Sequence, residues 1–176
     1  MSRLKQLLGE AVEEAEKYGS LLSTYLILKK CNAEYDTLVK EKEVNYSFSV
    51  DDIILTSLSY KELSKIQFFV MSFLVCDYLS SRYITQDCLF YFRWDKRIFI
   101  YSPRMEAHLL YLIRSGYAEG YKYFKLTEKG RVEAEAKKSL LSNVEKIKID
   151  EISSCVLSKN KLSELKRYVR SYIFGK

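Results

Sequence analysis

Apolar residues recur at helical spacing along most of the chain and alternate strictly in only one short stretch. Leu4, Leu8, Ala11, Ala15, Tyr18, Leu22 and Tyr25 step forward by four and three, so residues 2 to about 31 are expected to be helical. That spacing also suits a coiled-coil seam, weakened by Gly9 and Gly19. The stripe therefore covers either the protein's own core or a dimer contact. Residues 32–43 are polar and charged and read as a loop or a helix end. Val44, Tyr46, Phe48 and Val50 alternate with Asn45, Ser47 and Ser49, which predicts a half-buried strand. Ser49 or Asp51 then caps a short helix through Leu58. Ser59 is expected to cap a long helix from Tyr60 to about Arg82. Its centre, Phe68 to Cys76, is apolar nearly all round, as a central core helix is.

Residues 84–101 leave two readings open. Thr85 caps a short helix over Gln86–Phe92, or Leu89–Arg93 and Arg97–Tyr101 form a hairpin across Trp94-Asp95-Lys96. Aromatic and β-branched enrichment favours strand for the second run. From Tyr101 to Lys138 the local chemistry is more definite. Ser102 suits an N-cap and Pro103 the first helical position, where an amide hydrogen would be unpaired anyway. Met105, Leu109, Leu112, Ile113 and Gly116 share one face. Gly116 stands where a left-handed helix stop is wanted. Tyr117-Ala118 and Tyr123–Leu126 flank Glu119-Gly120, a turn between two strand-like runs. Thr127 caps a helix to about Ser142, Val144–Leu157 is read as helix with strand as the alternative, and Asn160 caps a last helix over Lys161–Phe174.

The order helix, tight hairpin, helix resembles the end of a winged helix-turn-helix domain of the MarR and PadR type. The residues that carry the resemblance are Leu112-Ile113-Arg114-Ser115-Gly116-Tyr117, leading out of the helix, and Leu126-Thr127-Glu128-Lys129-Gly130-Arg131, closing the wing. The resemblance spans about residues 102–138. It implies an α+β, mainly α protein: a winged-helix domain over 59–138, an N-terminal helical extension with a short strand over 1–58, and C-terminal helices over 139–176. One departure is plain. A standard helix-turn-helix joins its helices by three or four residues, whereas a longer segment precedes Ser102 here. The family's flanking helices often embrace a second subunit, so a homodimer is expected.

Composition sharpens this picture. The 176 residues are 48% hydrophobic and 14% aromatic, ample for a packed core, and carry a formal charge of +6. The charge is unevenly placed. Arg93 to Arg131 holds nine Lys or Arg against four Asp or Glu, and Lys159 to Lys176 holds six against one. Such an excess suits a polyanionic partner. Four cysteines, at 31, 76, 88 and 155, are too dispersed for a zinc knuckle, and His108 is the single histidine. No apolar leader or bilayer-length segment is present, so a cytoplasmic location with reduced thiols is expected, unless Cys76 and Cys88 meet in the fold. One proline and abundant Lys, Glu, Ile and Tyr fit a thermophilic source.

Catalysis finds little support. There is no glycine-flanked nucleophile turn, no phosphate-cradling glycine loop and no implied cofactor. The reading is instead a double-stranded DNA-binding protein acting as a transcriptional regulator. Arg104, His108 and Tyr111 lie opposite the apolar stripe, on the face that a winged helix turns to the major groove. Arg93, Lys96, Arg97, Lys122 and Lys125 are the candidate phosphate contacts. Two alternatives stand beside it. The winged helix is a protein–protein adaptor in a larger assembly, or the mixed basic and aromatic run Tyr91–Arg97 binds single-stranded nucleic acid or RNA.

Overall fold

The computed structural model describes residues 3–13, 27–29, 31, 46–86, 88–159 and 161–175, in two compact units, 1–45 and 46–176. In the first unit, α1 (Arg3–Glu13) follows the expected helix; Ala11 is buried, whereas Leu8 and Val12 are exposed. Residues 27–29 and 31 are also helical. Ala15, Tyr18, Leu22 and Tyr25 lie outside the described residues.

The second unit is mainly helical with small antiparallel sheets. Helix α2 (Val50–Leu58) begins at a reciprocal cap: Ser49 accepts the Asp52 amide, and the Asp52 carboxylate accepts the Ser49 amide. Asp51 and Asp52 in its first turn also complement the helix dipole. Of the strand expected over 44–50, residues 44 and 45 lie outside the described residues; within 46–50 there is one isolated parallel bridge, Phe48 to Thr85, held by Ser47 N–H to the Ile84 carbonyl and Gln86 N–H to the Phe48 carbonyl. Alternation put Phe48 inward as expected, but the helix cap at Ser49 ends the extended run.

The long helix starts later than Ser59. Ser59 is instead the C-cap of α2, and α3 (Lys65–Ser80) is capped by Ser64 with Gln67. Residues Leu63–Ser64 form β1 because they pair with Tyr123 and Phe124, about sixty positions away. Phe68, Phe69, Val70, Met71, Leu74 and Val75 are all buried, which makes α3 the centre of the core.

Of the two readings of residues 84–101, the hairpin is present. Strands β2 (Tyr91–Phe92) and β3 (Ile100–Tyr101) pair antiparallel. Trp94 stacks between Phe92 and Phe99, with ring centroids 5.6 and 5.3 Å away, and Phe73 of α3 meets Phe90 and Phe92 edge-on. Upstream, Cys76 and Cys88 are joined as a disulfide, so the condition attached to reduced thiols is met.

After α4 (Pro103–Arg114) come β4 (Ala118–Gly120) and β5 (Tyr123–Leu126), which with β1 make a three-stranded sheet ordered β1-β5-β4. Gly120 belongs to β4, so the hairpin tip is Tyr121-Lys122 and not Glu119-Gly120. Helix α5 (Glu128–Lys138) is shorter than expected, because Ser142 caps a separate helix, α6 (Asn143–Leu157), in a capping box with Glu145. Helix α7 (Leu162–Phe174) follows, with Lys161 at the N-cap position; Asn160 lies outside the described residues. Helix α2 packs on α3, α4 and α5, and α6 packs on α3. Among the described residues, no helix is long and apolar enough to cross a membrane, and no His, Cys, Asp and Glu cluster could hold a metal ion.

Candidate nucleic-acid interface

Helix α4 is fixed at both ends by the residues that its sequence suggested. Ser102 is buried and accepts the Met105 amide through its hydroxyl, with Pro103 at the first position. Gly116 ends the helix at φ 74°, a backbone conformation that other residues rarely adopt. Met105, Leu109 and Leu112 anchor the inner face in the core. Arg104, Ala107, Leu110, Tyr111 and Arg114 are exposed on the outer one. Arg104 and Tyr111 therefore stand on the accessible side. His108 is half-buried, and its Nδ1 lies 2.7 Å from a carboxylate oxygen of Asp51 on α2.

The first turn of α4 carries one further network. The Glu106 carboxylate accepts from the Lys65 ammonium and from the Tyr101 hydroxyl. Burial pushes the Glu106 carboxyl up, but the bonds from Lys65 and Tyr101 outweigh it and hold the group below the ordinary carboxylate range. The Tyr101 hydroxyl is shifted upward, first by its bond to Glu106 and then by burial. This network ties the starts of α3 and α4 together. Tyr101 also packs edge-on against Phe69, so α4 begins beside the N-terminal half of α3.

The β4–β5 hairpin is latched to the helix behind it. Thr127 caps α5 through the Gly130 amide, and its hydroxyl donates to the Gly116 carbonyl. The Thr127 amide donates to the Tyr117 carbonyl at 3.1 Å. A Cβ at Gly130 would lie 1.9 Å from that same carbonyl oxygen, so only glycine permits this approach. Lys129 stands over the Tyr117 ring and reaches the Ser115 carbonyl.

Among the candidate phosphate contacts, Lys125 pairs across the β4–β5 hairpin with Glu119 at 3.1 Å, and Lys96 pairs with its neighbour Asp95 at the same distance. Both pairs are exposed and contribute little to stability. Arg93, Arg97 and Lys122 are exposed, and no described acid lies within ion-pair distance of them or of Arg104. The sequence-derived set is thus split between α4, the β4–β5 hairpin and the loop of the β2–β3 hairpin.

Two cations escaped the sequence reading. Arg114 continues the exposed row of Arg104, Ala107 and Tyr111 at helical spacing, a signal that was available. Lys65 lies beside the β4–β5 hairpin only because Ser64 pairs with Tyr123, which no local pattern announces. No family model, curated protein or solved structure matches this chain.

Proposed function

We propose that the chain is a winged-helix protein that binds double-stranded DNA and acts as a transcriptional regulator. The observation that carries this reading is the arrangement of one sheet. In winged helices a helix and strand precede two helices and a β-hairpin, and the first strand joins the hairpin. Helix α2, β1, α3, α4, β4 and β5 follow that order, with β1 paired to β5. In this reading α4 offers Arg104, Tyr111 and Arg114 to the major groove. Lys122 and Lys125 on the wing, and Arg93, Lys96 and Arg97 on the hairpin loop, serve the phosphates. His108 orients α4 against α2 through Asp51 and does not read bases. A homodimer belongs to the same reading, supported by exposed Val132 on α5, Leu140 in the turn after it, and Val144 and Ile147 on α6.

Fluorescence anisotropy with a short random-sequence duplex, titrated at several salt concentrations, tests the proposal. Affinity should fall steeply with salt, Arg104→Ala should weaken binding, and Lys122→Ala should weaken it and flatten the logarithmic salt slope by about one. Unchanged affinity and slope in both variants would refute it.

One observation favours a second reading. Leu110 is 49% and Tyr111 58% exposed on the outer face of α4. An adaptor would use these apolar surfaces to dock a protein. Leu110→Ala separates the two: it should leave duplex binding unchanged and would weaken a protein contact.

A further inference from the structure

Beside the wing, on the flank where α3 begins, three cavities adjoin one another. The first, about 480 Å³, lies between the β2–β3 hairpin and the start of α4, and is lined by Lys65, Arg93, Lys96, Tyr91 and Tyr101. The second, about 490 Å³, shares Lys65 and Ile98 with it and continues to Arg97, Tyr121, Lys122 and Tyr123 at the wing tip. The third, about 350 Å³, shares Arg97, Ser64, Ile66 and Tyr123 with the second and ends at Lys159 and α7. Each falls within the roughly 300–1,000 Å³ range of sites that hold small organic ligands. Because neighbours share walls, they form one elongated trough.

Three features of the trough point in one direction. Among the described residues, no Asp or Glu lines any of the three cavities. Six cations are spread along its length. Lys65 is bonded to Glu106 and Lys96 to Asp95, while Arg93, Arg97 and Lys122 have no described acidic partner. Aromatic faces alternate with the cations, and Tyr91, Tyr121 and Tyr123 are 51, 89 and 54% exposed. Tyrosines so exposed beside a cationic path are not needed by the core. In the β2–β3 hairpin the rings of Phe92, Trp94 and Phe99 already stack on one another.

We infer that this trough binds a single strand of nucleic acid, with its phosphates on Arg93, Arg97 and Lys122 and its bases stacked on Tyr91, Tyr121 and Tyr123. A base in a duplex has both faces covered by its neighbours and cannot use these rings. A free strand exposes them, and stacking on aromatic side chains tolerates any sequence. The trough stands on its own geometry and does not require that α4 read a duplex. The cations of the hairpin loop would be shared if both ligands bind, so the two should compete.

The test uses the full chain and fluorescein-labelled oligo(dT), read by anisotropy, with a random duplex and poly-glutamate as competitors. Tyr91→Ala and Tyr121→Ala should each weaken oligo(dT) binding about fivefold or more, the size expected for one lost stack. Neither should change duplex affinity as much. The double variant Arg93→Glu, Arg97→Glu should abolish oligo(dT) binding, and Arg104→Ala should leave it unchanged. All five positions are exposed, and circular dichroism melts should coincide with wild type. The inference fails if wild type binds oligo(dT) no better than the double variant. It also fails if the tyrosine variants bind oligo(dT) like wild type while poly-glutamate competes equally well, which would make the trough an acidic-peptide site. Failure of duplex binding with oligo(dT) binding intact would remove the α4 reading and leave this one standing.

Discussion

Replacing Gly130 by alanine probes the latch between the wing and α5. The new methyl carbon would sit 1.9 Å from the Tyr117 carbonyl oxygen, where real Cβ atoms essentially never come closer than 3.0 Å. Backbone must therefore move by about 1 Å on one side or the other. Tyr117 cannot retreat freely, because its carbonyl holds the Thr127 amide. Helix α5 cannot retreat freely, because the Gly130 amide is held by the Thr127 hydroxyl. Overpacking of this kind costs about 1–3 kcal/mol, and loss of the cap adds about 1 kcal/mol. Alanine returns about 1 kcal/mol through its higher helix propensity. The net expectation is a loss of about 2 kcal/mol, or a melting temperature lower by about 4–8 °C for a chain of this size. Urea unfolding and thermal melting followed by circular dichroism measure it. Arg131→Ala, one residue on and exposed, serves as the control and should change stability by no more than about 0.5 kcal/mol. A Gly130→Ala protein as stable as wild type, or more so, would mean that the start of α5 does not abut Tyr117, and would contradict the contact between α5 and the β4–β5 hairpin.

Other expectations follow from single contacts. Reducing the Cys76–Cys88 bond, or Cys88→Ser, reopens a loop with a sequence separation of 12 and should cost about 3 kcal/mol on chain-entropy grounds; an unchanged urea midpoint under reductant would contradict it. Glu106 has a folded-state pKa below its ordinary 4.5, so its stabilising effect is complete above about that pH and is lost as pH falls through the lower folded value. Glu106→Gln should therefore remove part of the acid-side loss of stability, and parallel pH profiles for variant and wild type would count against the Lys65–Glu106–Tyr101 network. Leu74→Ala, at a fully buried position of α3, should cost about 2–5 kcal/mol in urea unfolding, and a cost below about 1 kcal/mol would deny α3 its place at the core.

Local chemistry made much of the fold legible. Ser49, Ser102 and Thr127 were readable as caps because the hydroxyl acts on amides two or three residues away, and all three act as caps in the structure. The buried run Phe68–Cys76 was legible because an apolar surface on every side leaves no solvent face. Distant contacts decided the rest. Ser59 and Ser64 offer similar caps to local inspection; the pairing of Leu63 with Phe124 keeps the intervening residues out of the helix. The segment 84–101 was ambiguous because its hairpin pairs only two residues on each side and depends on Phe73 and the bond to Cys76. In the candidate site, the exposure of Arg104 and Tyr111 followed from helical periodicity. The pairing of His108 with Asp51, 57 positions earlier, did not. Nor did the trough, whose walls come from α3, the hairpin, the wing and α7.

Amide hydrogen exchange of the chain with and without a random duplex tests the central reading most directly. Duplex binding through a winged helix predicts new protection over residues 103–114 and at the wing tip, 120–125, with the outer surface of α5 and α6 unaffected. Protection confined to α5 and α6, with α4 and the wing exchanging as in the free protein, would contradict it.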